Sequence, residues 1–338
     1  MEIVHIMFLD KFNLPFIDFI KNHFDINKHE FIFFHPPLYI HGMTEEKARE
    51  FQWVNPQNEK EINNLVPVLQ QAEKIIIHGL WSEYLNQFLF FNRKLLKKCY
   101  WAMWGGDFYF PERQSELKKQ VIRRMGHLIT YIEGEYELAK KWYKAKGIHH
   151  KCLMYTSNIF KDYKILEKEK DEIYIQIGNS ADWTNNHFEA FEKLFPYKNE
   201  NIKIYVPLSY GDMEYAEKVI KKGKELFGNK FFPMTEFLPI NEYLEFLGKI
   251  DIAIFPHNRQ QAMGNIITLL GLGKKVYLRS SVTPFPMFKN LGIHIFDFEE
   301  NLNLEPLDKE KKENNYKKIK KHFSEDNLKN QLKDLFEN

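Results

Sequence analysis

At 338 residues the chain exceeds what one hydrophobic core usually serves, so two domains are expected. Hydrophobic residues at 44% and aromatic residues at 16%, with 30 phenylalanines, exclude a disordered or low-complexity protein. Lysine and arginine number 48 against 46 acidic residues, and the resulting +2 is too even for a chain whose main partner is a nucleic-acid backbone.

The N-terminal stretch MEIVHIMFLDKFNLPF lacks a basic n-region followed by an apolar h-region and a small-residue cleavage site, so it reads as a first strand and not as a secretion signal. Short apolar runs then recur at 31–34, 74–78, 99–103, 128–132 and 152–155, after the first at 3–9. A second series follows at 173–177, 202–206, 230–234, 252–255, 275–278 and 293–296. Runs apolar on both faces, alternating with amphipathic segments, are the pattern of parallel strands covered by helices. One such segment is GDMEYAEKVIKKGKELFG, with Tyr215, Val219 and Leu226 near one face and Gly228 as its stop. The fold class is therefore α/β, with two Rossmann-like doubly wound domains facing across a cleft, over 1–160 and 161–338. The charged stretch NIFKDYKILEKEKDE joins them, and the lysine-rich tail forms two terminal helices counted with the second domain.

No run approaches the roughly 18–20 apolar residues of a spanning helix, so any membrane contact is expected to be peripheral. Cys99 and Cys152, each placed in a strand, sit in no metal-binding pattern and suit a reduced, cytoplasmic protein. Basic clusters at 93–98, 118–124 and 140–151, interleaved with apolar residues, suit an anionic leaflet.

Ligands of open parallel sheets bind beyond the strands' carboxyl ends, where helix N-termini present free N–H groups. Four loops there are unusual: HGLW at 78–81, MWGGDFY at 103–109, IGNSADWTNNH at 177–187 and FPHNRQQAMGN at 255–265. In the third, Gly178 admits a bulky group, Asn179 and Ser180 offer hydrogen bonds, and a helix follows. The fourth adds the guanidinium fork of Arg259, the amides of Gln260 and Gln261, and Gly264 and Asn265 at a helix start. Two such loops in one half point to an anionic ligand of diphosphate type. The half carries neither G-x-G-x-x-G nor G-x-x-x-x-G-K-[ST], and no D-x-D pair that would hold a metal. No cofactor and no metal are expected, and neutralisation falls to arginine and helix N-termini.

With these residues in hand, the chain resembles the bacterial TDP-N-acetylfucosamine:lipid II N-acetylfucosaminyltransferases, which add 4-acetamido-4,6-dideoxygalactose during enterobacterial common antigen assembly. The shared residues are His78 and Gly79, WxxWGxDxY as Trp101 to Tyr109, GNSxDxxNxH as Gly178 to His187, VPxxY as Val206 to Tyr210, and RQQxxG as Arg259 to Gly264, in the family's order. The resemblance implies a GT-B glycosyltransferase: a C-terminal domain for a nucleotide-sugar, and an N-terminal domain for a saccharide on polyprenyl diphosphate at the cytoplasmic face of the inner membrane. Where many GT-B enzymes place a ribose-binding Glu, this chain has Thr268, which suits a thymidine nucleotide.

Transfer needs stabilisation of the departing diphosphate and, for inversion, a base. Asp107 and His78 are the catalytic candidates, against the alternative of structural roles. Gly178, Asn179, Ser180, Asp182, Asn185, His187, Tyr210, Arg259, Gln260, Gln261, Gly264 and Asn265 are assigned to the donor. Trp104, Gly105, Gly106 and Tyr109 are assigned to the acceptor. Rival readings are a GT-B transferase of another sugar for O-antigen or capsule, and a non-catalytic sugar-nucleotide binder.

Overall fold

In the computed structural model, which describes residues 2–163 and 172–337, the chain divides into two units. The first joins Met1–Ser157 with Glu325–Asn338, and the second is Asn158–Ser324. Seven strands build the first sheet: β1 (Ile3–Met7), β2 (His29–Phe33), β3 (Gln52–Trp53), β4 (Lys74–His78), β5 (Cys99–Ala102), β6 (His127–Ile129) and β7 (Ile148–His150). Six build the second: β8 (Ile173–Ile177), β9 (Ile202–Pro207), β10 (Phe231–Met234), β11 (Ile252–Phe255), β12 (Lys275–Leu278) and β13 (Phe296–Asp297). Every pairing is parallel. The cause is burial: β1, β5, β11 and β12 are buried along their whole length, which only helices on both faces allow.

The spatial orders are β3-β2-β1-β4-β5-β6-β7 and β10-β9-β8-β11-β12-β13, the doubly wound arrangement twice over. The order reverses between β1 and β4 in the first sheet and between β8 and β11 in the second. The loops after these strands flank the two crevices in which such sheets bind ligands.

Local chemistry sets the helices. Met213–Phe227 starts where the Asp212 side chain accepts from the amides of Glu214 (2.9 Å) and Tyr215 (3.2 Å), and it ends at Gly228, φ +57°. Its buried stripe is Ala216, Val219, Gly223 and Phe227, with Tyr215 and Leu226 half-buried beside it. A Cβ on Gly223 would lie 2.2 Å from the Phe231 ring, so the helix lies directly on β10.

Several expectations need correcting. The tail does form two helices, Lys309–His322 and Glu325–Glu337, but they part company. The first belongs to the second unit, where the Asn315 side chain bridges the backbone of His294. The last belongs to the first unit. There Lys74 Nζ donates to the final-turn carbonyls of Leu335 (2.8 Å) and Phe336 (2.9 Å), and Gln331 accepts from the Leu153 amide (2.8 Å). The division falls after Ser157, not 160, and residues 164–171 of the joining stretch lie outside the described residues. Residues 152–155 form no strand, so Cys152 is not in one. The seventh strand is the preceding Ile148–His150, an edge strand whose two histidines and 61% exposed Ile148 hide the apolar signal. Both thiols are free and buried, and burial pushes each up to about 12.

Candidate active site

The third and fourth unusual loops follow β8 and β11, so they meet at the reversal of the second sheet. Gly178 donates its amide to Ile254 O (2.9 Å) at φ +65°. A Cβ there would lie 2.6 Å from Asn185 Oδ1 and 2.8 Å from His187 Nε2, so only glycine fits. Gly178→Ala is expected to destabilise the second unit by roughly 2–4 kcal/mol, a fall of about 5–10 °C in its melting temperature. Calorimetry showing an unchanged transition would refute that reading of the turn.

Asn185, fully buried, is the internal staple of the loop. Its Oδ1 takes the Asn179 amide (3.0 Å) and faces His257 Nε2 (3.1 Å), while its Nδ2 donates to Ser180 Oγ (3.2 Å) and Asp182 O (3.1 Å). With Ser180 only 4% exposed, these two expected donor contacts act on the loop itself. Nearer the surface, Asn179 Nδ2 donates to Tyr210 Oη (2.8 Å), Gln261 Nε2 reaches Asn179 Oδ1 (3.4 Å), and Gln261 Oε1 lies 2.9 Å from Thr184 Oγ1. Tyr210 is held there because Ala181 exchanges backbone bonds with Tyr210 O (2.8 Å) and the Asp212 amide (2.9 Å).

Arg259 Nη2 pairs with Asp182 Oδ2 at 3.1 Å, and its Nη1 donates to Gln260 O (3.2 Å). Burial alone would raise the Asp182 carboxyl. The Thr184 donors and the guanidinium outweigh it and hold it below the usual range. Both loops run into helices that begin without a side-chain cap, His187–Leu194 after Asn186 (φ +48°) and Met263–Gly271 after Ala262 (φ +58°). The first-turn amides of both, including those of Gly264 and Asn265, therefore receive no acceptor from a cap side chain, and they follow the loops at the carboxyl ends of β8 and β11. His187 is fully buried. Its Nδ1 meets Tyr215 Oη (3.1 Å), while Nε2 has no hydrogen-bond partner, and burial lowers its pKa to about 3. Gln260 Oε1 is likewise buried without a partner.

Sequence reasoning missed four residues here. His257, fully buried at the heart of the fourth loop, is driven well below its ordinary pKa by burial first and then by Arg259, His187 and Arg279. Thr184 links Asp182 to Gln261. Burial raises the Tyr243 hydroxyl, opposed by the side chains of Asn265 and Gln176. Arg279, just past β12, donates to Pro256 O (3.2 Å) and pairs with Glu189 (2.5 Å) and with Glu299. Only its position at a strand's carboxyl end could have marked it.

The first unit differs from expectation. Asp107 is 1% exposed. Its Oδ2 accepts from the Leu80 amide (2.9 Å) and Trp101 Nε1 (2.8 Å), and its Oδ1 from the Trp104 amide (3.1 Å). Burial pushes its carboxyl up, opposed by the buried Lys118 ammonium and these donors. A carboxylate saturated in this way clamps the loop after β5 to the loop after β4 and does not reach an acceptor hydroxyl. Asp107→Asn turns a donor against a donor and is expected to cost about 2–3 kcal/mol in denaturant unfolding. Full stability with lost turnover would instead restore it as a base.

Tyr109 is 6% exposed and donates to Glu135 Oε1 (2.7 Å), so it is core and not a sugar platform. Gly105, φ +78°, and Gly106 turn the chain before it. His78 is 2% exposed, with Nδ1 on Tyr155 Oη (2.7 Å) and Nε2 on His5 Nδ1 (3.0 Å). Burial lowers its pKa to about 3. Of the expected acceptor residues Trp104 and Gly106 are half-buried, and Trp104 lies in an aromatic cluster with Phe12 (5.3 Å between ring centres), Tyr155 (4.8 Å) and the half-exposed Trp81 (6.3 Å).

Residues 27–314 match the family described as 4-alpha-L-fucosyltransferase, glycosyl transferase group 56. The chain belongs to that family. Solved structures of similar fold include a glycosyltransferase from Rickettsia africae (TM-score 0.71, 12% identity, 99% of this chain and 97% of that one). Anabaena HepE in complex with UDP and glucose gives a TM-score of 0.73 at 11% identity, over 100% and 99% of the two chains. Sucrose-phosphate synthase from Thermosynechococcus elongatus gives 0.68 at 9% identity, over 100% and 98%. This group 56 chain is thus a hexosyltransferase of GT-B fold, which sets aside the non-catalytic reading.

Proposed function

We propose that this enzyme moves a 4-acetamido-4,6-dideoxyhexose from a dTDP-sugar to a polyprenyl-diphosphate-linked saccharide in bacterial surface polysaccharide synthesis. The observation that carries the donor side is the meeting of Arg259 and two uncapped helix N-termini at the reversal of the second sheet. A departing diphosphate placed there meets a guanidinium fork and main-chain donors, the interactions that stabilise developing phosphate charge. We assign no metal or other cofactor to this step, since these groups supply the neutralising charge. HepE, solved with UDP and with UDP-glucose, supports a nucleotide-sugar donor.

Asp107 and His78 are both sealed, so neither serves as base; we propose that the acceptor proton passes to the departing diphosphate, a course open to transfer with retention of configuration. Incubation with dTDP- and UDP-sugars and polyprenyl-linked acceptors, followed by mass spectrometry and determination of the product anomer, tests both parts. Transfer only from UDP-sugars would remove the thymidine assignment, and an inverted product would require a protein base.

Peripheral contact with the anionic inner membrane, on its cytoplasmic face, is proposed on the basic clusters of the first unit. The neighbouring strands β5, β6 and β7 bring all three to the amino edge of one sheet, where Lys97, Arg123, Arg124, Lys141, Lys144 and Lys146 are exposed. Lys118 and Lys98 are engaged elsewhere, the first buried near Asp107 and the second on Gln70 O (2.7 Å). Among the described residues no helix is long and apolar enough to cross a membrane. Liposome binding indifferent to anionic lipid would remove this contact.

A further inference from the structure

Three histidines far apart in sequence lie on one face of the first sheet. Pairing of Ile3 with His29 and of His5 with Ile76 puts His5, His29 and His78 on the same side. The side is covered by Phe16 of helix Asn13–His23 and by Phe336 of the last helix, whose ring meets His29 edge-on at 4.7 Å. The side chains join end to end: Trp104 Nε1 donates to Tyr155 Oη (3.1 Å), Tyr155 Oη meets His78 Nδ1 (2.7 Å), His78 Nε2 meets His5 Nδ1 (3.0 Å), and His5 Nε2 meets His29 Nδ1 (3.0 Å).

The direction follows from the donor inventory. An indole can only donate, so the Tyr155 oxygen accepts from Trp104, and its own hydrogen is satisfied in this buried place only if it goes to its other partner, His78 Nδ1. His78 then carries its proton on Nε2 and donates to His5, which in the same way donates to His29. Burial keeps all three imidazoles neutral: His78 is lowered to about 3, His5 well below its ordinary value, and His29 to about 4 despite the opposing pull of Asp25 and Glu2. In this direction a proton added to His5 would set its Nδ1–H against His78 Nε2–H, and one added to His29 would set its Nδ1–H against His5 Nε2–H. Polar rings in a core cost desolvation that leucine would not, so the return on this chain lies at its end in the acceptor loop.

We propose that Tyr155, His78, His5 and His29 form a one-directional hydrogen-bond chain that positions the Trp104 indole as the platform for a pyranose ring of the acceptor. They are positioning residues, and the platform rests on the reading of the first unit as the acceptor domain. Gly79, φ +86°, belongs to the same construction, since a Cβ there would lie 2.4 Å from Trp81 Nε1 and 3.1 Å from Trp104 Cδ1.

Nitrogen-15 NMR of the full chain at pH 7 tests the chain without any turnover. All three imidazoles are expected neutral with the proton on Nε2, and a proton on Nδ1 of any of them overturns the direction. In His5→Leu the Trp104 indole N–H is expected to exchange about fivefold faster, and Tyr155→Phe, should His5→Leu not fold, gives the same or a larger effect. Unchanged exchange in a folded variant overturns the positioning. The platform is read separately, by titrating a short-chain prenyl-diphosphate saccharide and following the Trp104 indole resonance and the acceptor KM. The resonance is expected to move in the wild type, and the acceptor KM to rise several-fold in the variants with the donor KM unchanged. No movement of that resonance overturns the platform, whereas absence of transfer with the resonance still moving counts against the proposed reaction alone.

Discussion

Arg259→Ala is expected to weaken nucleoside diphosphate binding by roughly tenfold to a hundredfold, since a charge-assisted hydrogen bond to a charged group contributes about 1.5–3 kcal/mol. The side chain is placed for this. It is 17% exposed, on the loop after β11, facing the loop after β8 where the sheet order reverses. Its present partner Asp182 is 32% exposed and is also held by Thr184, so the carboxylate keeps protein donors when the guanidinium turns to phosphate. Arg259→Lys retains charge and loses the fork, and should fall between the wild type and the alanine variant. Calorimetric titration with dTDP and UDP checks the series, and equal affinity in all three proteins would place the diphosphate elsewhere.

Acid is expected to unfold the protein well above the pH at which its carboxylates titrate. His5 and His78 in the first unit, and His187 and His257 in the second, are buried and lowered, with His78 and His187 at about 3. Each binds a proton near 6.5 when unfolded but not when folded, so their stabilisation is complete above about 6.5 and is lost as pH falls toward the folded values. Two such groups per unit give a slope of roughly 2.7 kcal/mol per pH unit, and the half-buried His29, lowered to about 4, adds to it in the first unit. Against a domain stability of about 5–15 kcal/mol, two pH units remove most of the low end. Melting temperature should therefore fall steeply between about pH 6.5 and 4.5, and His78→Leu should flatten the dependence of the first unit. A melting temperature constant across that interval would contradict the burial of neutral imidazoles.

The parallel strands were legible because burial on both faces writes continuous apolar runs, as in 74–78 and 252–255. The loops after β8 and β11, proposed for the donor, stood out for a related reason, since Gly178, Asn179 and Arg259 follow such runs closely. Which of their side chains would face a ligand was not. Asn185 and Ser180 are spent on each other, a contact set by the turn at Asn186 and not by residue type. Asp107 misled because two glycines after a strand suit an active site, whereas its partners include Leu80, 27 positions away. The histidine chain depends on strand register, and the seat of the last helix depends on Lys74 meeting carbonyls 261 and 262 residues later. Local pattern carries no trace of either.

The most direct test of the account is calorimetric titration of dTDP in the presence of EDTA, repeated with magnesium. Saturable binding of equal strength in both, abolished or weakened at least tenfold by Arg259→Ala, is the predicted result. Binding that appears only with magnesium, or that is indifferent to Arg259, would contradict a diphosphate site built from a guanidinium and helix amides.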